Sequence, residues 1–551
     1  MLPASEALGA ALAHQQAGRW SEAEALYRRI LGEFPDCAEA YGDLAILLYQ
    51  VGRLGEAEEA CRQVIEKQPA SAEAHANLAA ILLAQGRYAA AEAAAQAALA
   101  LQPDYAEAHN NLGNALERLE RFEQAEASYR RALALRPDFA LAHHNLGNVL
   151  ERGRRWPEAE GCYRRAIELV PEFAEAYNNL GALLQQQSRW EEATECYSQA
   201  LRLRPGMAEA HNGLGVALQW DNRDAEALVC YEQALALNPE FPEAHYNRAT
   251  LWLRRGNFQQ GWQEYEWRRR LSDVPWRRFP QPLWDGAPLA GRTILLHAEM
   301  GLGDTVQFAR YAPLVAERGG QVVLECQPGL APLMESLGGV AQVVPAGALL
   351  PEFDVRLPLL SLPRVFGTTL VSIPREVPYL SAPAERIRFW RERIGAAPGL
   401  KVGLAWAGNP HSKTARKRFM PVANFAALAA LPGVRLFSLQ RGPQVAELDS
   451  LPPGCKVTQL EEEGGEVIDT AAIILNLDLV IAVDTMVAHL AGALGKPVWV
   501  LLASSPEWRW MLGREDSPWY PTARLFRQTR LGEWNDVMAR VVEALQDVVG
   551  S

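Results

Sequence analysis

The stretch AEAHNNLGNALERLERFEQAEASYRRALALRPDF (Ala106–Phe139) decides the fold of the first half of this chain. The following stretch, ALAHHNLGNVLERGRRWPEAEGCYRRAIELVPEF (Ala140–Phe173), repeats its small, apolar and turn positions almost throughout. A strict 34-residue period is typical of a helix–turn–helix unit that stacks on copies of itself. Such stacks offer long surfaces to extended partners. We therefore expect the first half to hold a partner and any chemistry to lie in the second half.

This pattern resembles the tetratricopeptide repeat, and it can be followed in both directions along the chain. A small residue recurs at one place in each helix of the unit, and a proline closes the first seven units. The eighth unit has Asp273 in place of that proline, as expected of a terminal repeat. The sequence predicts eight repeats, and we assign residues 1–275 to an α-solenoid.

Composition and charge narrow the class of protein. The chain has 551 residues, too many for one core, and a net charge of −12, which argues against nucleic acid as the main partner. The N-terminus has no leader pattern and no apolar run reaches about 18 residues, so we expect a cytoplasmic protein without a membrane span. The seven cysteines have neither disulfide-framework nor zinc spacing, so we expect no metal site.

One polar residue recurs in the first helix of the repeats where packing does not require it. These asparagines are Asn77, Asn111, Asn145 and Asn179, with Asn247 in the last unit. An amide both donates and accepts hydrogen bonds, so a column of amides suits successive backbone groups of an extended polypeptide acceptor. The alternative is that each asparagine bonds the adjacent repeat and only rigidifies the stack. Asp43 and Gly213 interrupt the series.

The second half changes to short apolar runs that alternate with helical stretches, after a Pro- and Gly-rich linker assigned to residues 276–291. The predicted strands are Thr293–Ala298, Gln321–Cys326, Lys401–Gly408, Val434–Gln440, Asp478–Val483 and Pro497–Ala503. Continuous apolar runs favour parallel strands covered on both faces, hence a doubly wound α/β architecture. We assign an N-lobe to residues 292–398 and a C-lobe to residues 399–551. Ligands of such sheets bind beyond the carboxyl ends of the strands.

The first segment after a predicted strand is HAEMGLGDTVQFARY, which begins at His297. Gly301 and Gly303 permit a tight turn, and a helix begins near Asp304. Glycine beside a helix start lets the backbone approach a phosphate or another substrate group. Asp304 also has a plain structural interpretation, because aspartate is favoured at helix starts as a cap.

Two polar loops follow strands of the second lobe. The loop AGNPHSKTARKR carries Lys413, Arg416 and Arg418, and in an acidic protein such a cluster suits a diphosphate, unless it is only a solvated basic loop. The loop SLQRGPQ contains Gln440, which we assign to the ribose or base of a nucleotide.

The segment AVDTMVAHLAGALGKPVWVLL ends another strand and opens a helix. Asp484 and Thr485 stand at the helix start, and His489 follows one turn later on the same face. Exposed backbone N–H groups with Asp and Thr at a helix start suit a nucleotide-linked phosphate and sugar hydroxyls. Capping alone explains Asp484 and Thr485, but not His489.

The motifs GLGDTVQFARYAPLV and VDTMVAHLAGALGKPVWVLL together resemble the heptosyltransferases, glycosyltransferase family 9, of the GT-B fold. That resemblance covers about residues 292–530. It implies that Asp304 is the general base, that Lys413 or a neighbouring cation meets the donor phosphates, and that Asp484, Thr485 and His489 bind the nucleotide sugar. His297 is a second, weaker candidate for the base. The resemblance also implies catalysis without a metal or other cofactor, with the nucleotide sugar as co-substrate.

Repeats followed by such a domain are similar to the protein O-GlcNAc transferases and to bacterial tetratricopeptide glycosyltransferases, some of which act on flagellin. The resemblance implies a polypeptide acceptor held by the solenoid, flagellin or another bacterial protein. Two alternatives stay open. The acceptor is a glycan or lipid, or the α/β unit is an inactive sugar-nucleotide fold and the protein is a scaffold.

Overall fold

The computed structural model describes residues 4–272, 276–408, 419–460 and 466–550. The chain forms two compact units, Met1–Ala210 and His211–Ser551. The division lies within the thirteenth helix, so the last two repeats belong to the same unit as the α/β region. The separate domain boundary expected near residue 275 stays a prediction.

Within residues 4–203 the first unit consists of six helix pairs. They are α1 (Ala4–Gln16), α2 (Trp20–Glu33), α3 (Ala38–Gln50), α4 (Leu54–Lys67), α5 (Ala72–Ala84), α6 (Tyr88–Leu101), α7 (Ala106–Arg118), α8 (Phe122–Leu135), α9 (Ala140–Arg152), α10 (Trp156–Leu169), α11 (Ala174–Gln186) and α12 (Trp190–Leu203). Three residues join the two helices of each pair. Such short connections make the two helices antiparallel neighbours. The α-solenoid predicted from the 34-residue period is confirmed.

The middle residue of each three-residue connection has a left-handed backbone. Gly18, Gly52 and Gly86 take φ of 72°, 80° and 75° in the first three repeats. Glu120 and Arg154 take φ of 60° and 57° at the same place in the next two. Glycine adopts this conformation without a steric penalty, whereas a residue with a Cβ is strained there. The turn is therefore imposed by the packing of the two helices where glycine is missing.

Small residues of the first helices face tyrosines of the second helices. A Cβ added to Gly113 would lie 2.5 Å from the Tyr129 ring, and one added to Gly147 would lie 2.6 Å from the Tyr163 ring. Both tyrosine side chains are fully buried. The glycine thus makes room for a large ring, which explains why the small positions repeat every 34 residues.

An arginine precedes the second helix of most repeats, and in five of them it joins the repeat to the preceding one. Arg53 bonds Glu24 at 2.7 Å, and Arg155 bonds Glu126 at 2.7 Å. Arg87, Arg121 and Arg189 make the same bond across 29 residues, to Glu58, Glu92 and Glu160. We call this series the arginine ladder. It was not singled out from the sequence, although its 34-residue spacing is visible there.

The second unit begins with two further helix pairs. They are α13 (Ala208–Trp220), α14 (Asp224–Leu237), α15 (Pro242–Arg254) and α16 (Phe258–Tyr265). The last helix is short and continues as a 3-10 helix, Glu266–Arg270. Trp262 of α16 donates its indole N–H to the carbonyl of Thr368 at 2.9 Å. The eighth repeat therefore packs directly on the α/β region.

The α/β region alternates strands with helices. Its first part contains β1 (Thr293–His297), α17 (Leu302–Phe308), α18 (Ala312–Ala316), β2 (Gln321–Cys326), α19 (Ala331–Met334), β3 (Val340–Pro345), β4 (Val355–Pro358), α20 (Leu362–Val365) and α21 (Ala384–Ile394). Its second part contains β5 (Leu400–Ala405), α22 (Ala426–Ala429), β6 (Val434–Ser438), β7 (Val457–Gln459), α23 (Val467–Leu475), β8 (Leu479–Val483), α24 (Met486–Ala493), β9 (Val498–Leu502), β10 (Ala523–Arg527) and α25 (Asn535–Gly550).

These strands form two sheets in which every named pair is parallel. The first sheet has the order β3-β2-β1-β4 and the second the order β10-β9-β8-β5-β6-β7. The central strands β1, β8 and β9 are buried almost throughout. This is an α/β domain, as the apolar runs predicted.

The segment predicted as a linker lies along the edge of the first sheet. Trp284 donates its backbone N–H to the carbonyl of Arg356 in β4 at 2.9 Å, and its side chain is buried. Leu283 forms an isolated parallel bridge with the same residue. The segment therefore extends the sheet beside β4 and does not simply connect two domains.

Candidate functional site

Two of the segments singled out from the sequence meet in the second unit. Helix α17 follows β1, and helix α24 follows β8 of the other sheet. A Cβ added to Gly303 in α17 would lie 2.9 Å from Cδ2 of His489 in α24. Gly303 is thus needed for the close approach of two helices. Because both helices begin at carboxyl ends of parallel strands, they lie where ligands of α/β sheets bind.

The Asp304 carboxylate is held on both of its oxygens. Oδ2 accepts the backbone N–H of Gly301 at 2.8 Å, which is the helix-capping geometry. Oδ1 accepts a hydrogen bond from the guanidinium of Arg509. A Cβ at Gly301 would lie 3.2 Å from Oδ2, so glycine leaves room for the capping contact. Asp304 therefore caps the start of α17, and it also forms an ion pair with Arg509.

Arg509 is the main residue of this site that sequence reasoning missed. It lies in the 3-10 helix Trp508–Trp510, between β9 and β10, and its guanidinium also pairs with Glu507. The arginine packs over the Trp508 ring, 4.4 Å from its centroid. A guanidinium between two carboxylates is a fixed positive charge at the junction of the two sheets. Its only local signal is an arginine inside an aromatic run, which is too common to interpret.

His489 is buried and held by two aromatic side chains. Its Nδ1 lies 3.0 Å from the hydroxyl of Tyr520, and its ring stacks on Trp510 with centroids 5.2 Å apart. Its Nε2 lies 3.9 Å from Oδ1 of Asp484. Burial lowers the pKa of His489 to about 4, although the Asp484 carboxylate acts in the opposite direction. The imidazole is therefore neutral at pH 7 and acts as a hydrogen-bonding group.

Thr485 begins α24 without capping it by its side chain. Its Oγ1 is buried and has no hydrogen-bond partner among the residues that the structure describes. Buried hydroxyls are normally satisfied, so an unused one at a helix start is a candidate contact for a ligand.

Gln440 follows β6 and holds the chain at the end of β5. The Gln440 Oε1 accepts the backbone N–H groups of Trp406 and Ala407, at 3.1 and 2.9 Å. It thus fixes the chain just beyond β5, where the basic loop begins. Lys413, Arg416 and Arg418 lie outside the described residues.

His297 ends β1 and lines a separate cavity of about 200 Å³. Trp276, Glu299 and Glu325 also line it. The imidazole is buried, and its Nε2 has no hydrogen-bond partner within the described part of the chain. Burial, followed by repulsion from Arg356, lowers the pKa of His297 to about 3. A histidine with so low a pKa is a poor proton acceptor at pH 7.

The asparagine column bonds the preceding repeat. Asn111 donates from Nδ2 to the carbonyl of Ala76 at 3.0 Å. Asn145 donates to Oδ1 of Asn110 and Asn114, at 3.0 and 2.9 Å. Asn179 donates to Oδ1 of Asn148 at 2.9 Å, and Asn247 donates to Asn212 at 2.9 Å. These asparagines therefore bond the adjacent repeat, as the structural alternative expected, and their acceptors are side chains as well as a backbone carbonyl. Binding of an acceptor by these asparagines stays a prediction.

Asn77 has a different setting from the later members of the column. It lines a groove formed by the first three repeats, together with Asp43, which stands one repeat earlier in the same place.

Comparisons with known proteins identify the repeats. Models of the tetratricopeptide repeat match residues 14–81, 72–105, 106–139, 138–206, 172–240 and 219–265. The first half of the chain therefore carries tetratricopeptide repeats, which confirms this part of the sequence analysis. Protein FlbA of Caulobacter vibrioides is 30% identical over 333 residues, which are 56% of this chain and 55% of FlbA. The chain thus spans about half the length of this relative.

Several solved structures are similar over part of the chain. The Cut9–Hcn1 hetero-tetramer of APC/C matches with 18% identity and a TM-score of 0.41, over 44% of this chain and 48% of that chain. PilF of Pseudomonas aeruginosa matches with 22% identity and a TM-score of 0.36, over 38% and 96%. YrrB, described as a TPR protein with an unusual peptide-binding site, matches with 25% identity and a TM-score of 0.29, over 34% and 96%.

Within the part of the chain that the structure describes, no helix is both long and apolar enough to cross a membrane.

Proposed function

We propose that the protein is a glycosyltransferase of the GT-B type, which moves a sugar from a nucleotide-sugar donor to a polypeptide held by the repeats. The observation that carries this proposal is the meeting of α17 and α24. Each helix starts at the carboxyl end of a parallel strand, and the two strands belong to different sheets. A ligand bound there contacts both sheets, which suits a reaction between a donor and an acceptor.

Asp304 is the proposed base, in preference to His297. A carboxylate oxygen has two lone pairs, so Oδ2 can accept an acceptor hydroxyl besides the Gly301 N–H. As the hydroxyl oxygen attacks the anomeric carbon, its proton passes to Asp304 and the nucleoside diphosphate leaves. His297 is less suited to this role because it lines a separate cavity, whereas Asp304 lies on α17 where that helix meets α24.

The donor side of the proposed reaction uses α24 and the basic loop. The neutral imidazole of His489 and the unused hydroxyl of Thr485 suit hydrogen bonds to the phosphates and sugar of the donor. Lys413, Arg416 and Arg418 would stabilise the negative charge of the departing diphosphate. The chemistry needs no metal if these cations carry out the neutralisation.

The acceptor side rests on the repeats. Tetratricopeptide repeats imply protein–protein interaction, which favours a polypeptide acceptor, such as flagellin or another bacterial protein, over a glycan or lipid. The eighth repeat packs on the α/β region through Trp262, so a polypeptide bound to the last repeats lies beside the candidate site.

The proposed function is tested with the full chain and a panel of common nucleotide sugars. Binding is measured by thermal shift and calorimetry, and transfer is measured by donor hydrolysis with and without an acceptor polypeptide. We expect one donor to bind. Asp304→Asn keeps a helix-capping side chain but cannot take the proton, so turnover should fall about 10²–10⁴-fold while donor affinity holds.

Two further variants serve as controls. His489→Ala should weaken donor binding, whereas His297→Asn should leave donor binding unchanged and lower turnover much less than Asp304→Asn. If no nucleotide sugar binds, the protein is a scaffold and the proposed function is wrong. If a donor binds but Asp304→Asn turns over normally, the enzyme class stands and the assigned base is wrong.

A further inference from the structure

An apolar groove of about 470 Å³ lies on the face formed by α1, α3 and α5, the first helices of the first three repeats. Leu8, Leu12, Ile46 and Val64 contribute to its walls. Leu12 is 41% exposed and Ile46 is 36% exposed, so large apolar side chains meet water there. Covering such side chains is favourable, which makes the groove a candidate docking surface.

The groove exists because the repeat pattern changes along its floor. Gly42 stands where the fourth and fifth repeats have Asn110 and His144, both buried. A Cβ added to Gly42 would meet only Val64, at 4.0 Å, and one added to Gly9 would meet nothing within 4 Å. The space that side chains occupy in later repeats is therefore open here.

The charges of the groove differ from those of the fourth and sixth repeats. In the fourth repeat Glu107 bonds Arg136 at 2.7 Å, and in the sixth Glu175 bonds Arg204 at 2.7 Å. Each pair spans 29 residues. In these two repeats an arginine from the end of the second helix of the same repeat neutralises the glutamate.

Glu39 and Glu73 occupy the same position in the second and third repeats, and both line the groove. The residues 29 positions later are Gln68 and Gln102, so the arginine is missing in both cases. Among the described residues, no cation lies within salt-bridge distance of Glu39 or Glu73. Two carboxylates whose counterparts in the fourth and sixth repeats are neutralised thus lack that arginine beside an apolar surface.

Asp43 adds a third carboxylate in the place of the asparagine column. A carboxylate only accepts hydrogen bonds, so it cannot make the donor link by which Asn145 bonds the preceding repeat. Asp43 is half-buried, and its pKa is raised by burial and then by repulsion from Glu39 and Glu73. The site is electrostatically unfavourable when empty and favours a cation.

The nature of that cation follows from the spacing of the carboxylates. No three acidic, histidine or cysteine side chains in the described part of the chain are grouped closely enough to hold a metal ion. Separated carboxylates beside exposed Leu12 and Ile46 suit a ligand that carries both positive and apolar groups along one chain.

We propose that this groove binds a segment of a partner polypeptide in which lysine or arginine alternates with large apolar residues. The cationic side chains lie against Glu39, Asp43 and Glu73, and the apolar side chains cover Leu12 and Ile46. This inference concerns the first unit alone and does not depend on the proposed glycosyl transfer.

The probes are three fluorescent synthetic peptides of equal length, titrated into the full chain by anisotropy. The first alternates lysine and leucine, the second has glutamine for lysine, and the third has serine for leucine. We expect the first to bind most tightly. Each charge-assisted contact that is lost should weaken binding about tenfold or more, so the glutamine peptide should bind at least that much more weakly.

Three variants place the peptide in the groove. The combination Glu39→Gln, Asp43→Asn and Glu73→Gln should weaken the lysine–leucine peptide at least about tenfold. Gln68→Arg should weaken it too, without removing any carboxylate, because an arginine there can pair with Glu39 as Arg136 pairs with Glu107. Glu107→Gln is the matched control, since that carboxylate is already paired, and it should leave the affinity unchanged.

Circular dichroism melts check that each variant is folded. Neutral replacements of unpaired acids relieve repulsion, so the triple variant is expected to fold. Equal binding of the lysine and glutamine peptides would overturn the proposal. Equal weakening by Glu107→Gln and by the groove variants would also overturn it, because binding would then follow total charge and not this groove.

Discussion

The repeats of the first unit and the α/β region of the second unit use arginine in opposite ways. In the arginine ladder each guanidinium bonds a partly buried glutamate of the preceding repeat and itself stays in contact with solvent; the Arg155 side chain is 40% exposed. In the α/β region Arg310 is buried and donates to the carbonyls of Pro374 and Trp519 and to the hydroxyl of Tyr379. An exposed ion pair contributes little to stability. Removing one partner of a buried charged pair costs much more, because the other charge is left buried. Repetition therefore spreads stability over many small contacts, whereas the α/β region concentrates it in a few.

The largest effect is expected from Arg509→Met. It removes the charge that holds Asp304 and Glu507, so both carboxylates lose the guanidinium in a largely buried site. Breaking a buried ion pair by removing one partner costs about 3–5 kcal/mol of unfolding free energy. Urea unfolding followed by tryptophan fluorescence measures this, because Trp508 and Trp510 flank the arginine.

Arg514→Met is the matched control for that measurement. Arg514 pairs with Asp516, whose side chain is exposed, so its loss should change stability little. If the two variants lose the same stability, the contrast between buried and exposed arginines is wrong. A double-mutant cycle with Asp304→Asn then measures the coupling across the two sheets.

The second largest effect is expected from Gly147→Ala, which tests whether the repeats also contain positions where one added methyl group lowers stability. The added Cβ would lie 2.6 Å from the Tyr163 ring, so the ring or the helix must move. Overpacking of this kind costs about 1–3 kcal/mol. The melt of the helical circular dichroism signal should therefore shift to lower temperature.

Gly161→Ala, on the neighbouring helix α10, is expected to stabilise the protein. A Cβ there would meet nothing within 4 Å, and alanine in a helix interior is favoured over glycine by about 0.5–1 kcal/mol. The same melt should shift upward. A loss of stability in Gly161→Ala would show that the repeats tolerate no added methyl group, and the packing argument for Gly147 would fail.

A smaller effect is expected from Asp43→Asn, and it depends on pH. The folded pKa of Asp43 is raised by burial, so the folded state binds this proton more tightly than the unfolded chain. The charged carboxylate therefore destabilises the fold at neutral pH, and this penalty disappears as the pH falls through the raised pKa. Asp43→Asn should melt at a higher temperature than the wild type at pH 7, and the difference should vanish towards the ordinary value of 3.8.

The smallest effect is expected from Arg155→Ala, which removes one step of the arginine ladder. The pairs it makes with Glu126 and Glu158 are solvent-screened, so a thermal melt should not resolve the loss. A clear shift would show that the ladder is cooperative and not a sum of weak pairs.

The sequence predicted the repeats and the central strands well because both depend on local periodicity. All six predicted strands are present: Gln321–Cys326 has the predicted ends, and the other five differ by up to three residues at an end, as for Lys401–Gly408 against the observed Leu400–Ala405. Four strands were missed. β7 has only three residues, β4 has four and ends at a proline, β3 is largely exposed, and β10 has an arginine near each end. None of them shows the apolar run that identified the others.

The site was predicted less completely because its contacts join distant parts of the chain. Asp304 and Arg509 are 205 residues apart, and the sequence around either residue gives no indication that the other is its partner. The two uses of the asparagine column could not be separated for a similar reason. The partner of Asn145 is Asn110 of the preceding repeat, and only the folded stack shows whether that side chain is within reach.

The constant 29-residue offset of the arginine ladder has a consequence for how this chain can change in length. If residues 140–173 were removed, Arg189 would exchange Glu160 for Glu126 at the offset that Arg155 has now, and the ladder pairs outside the deleted unit would be unchanged. A deletion that is not a whole number of 34-residue units would break the register at once. Repeats can therefore be lost or duplicated in whole units with the arginine ladder intact, so the length of the first half can change without breaking this series of contacts.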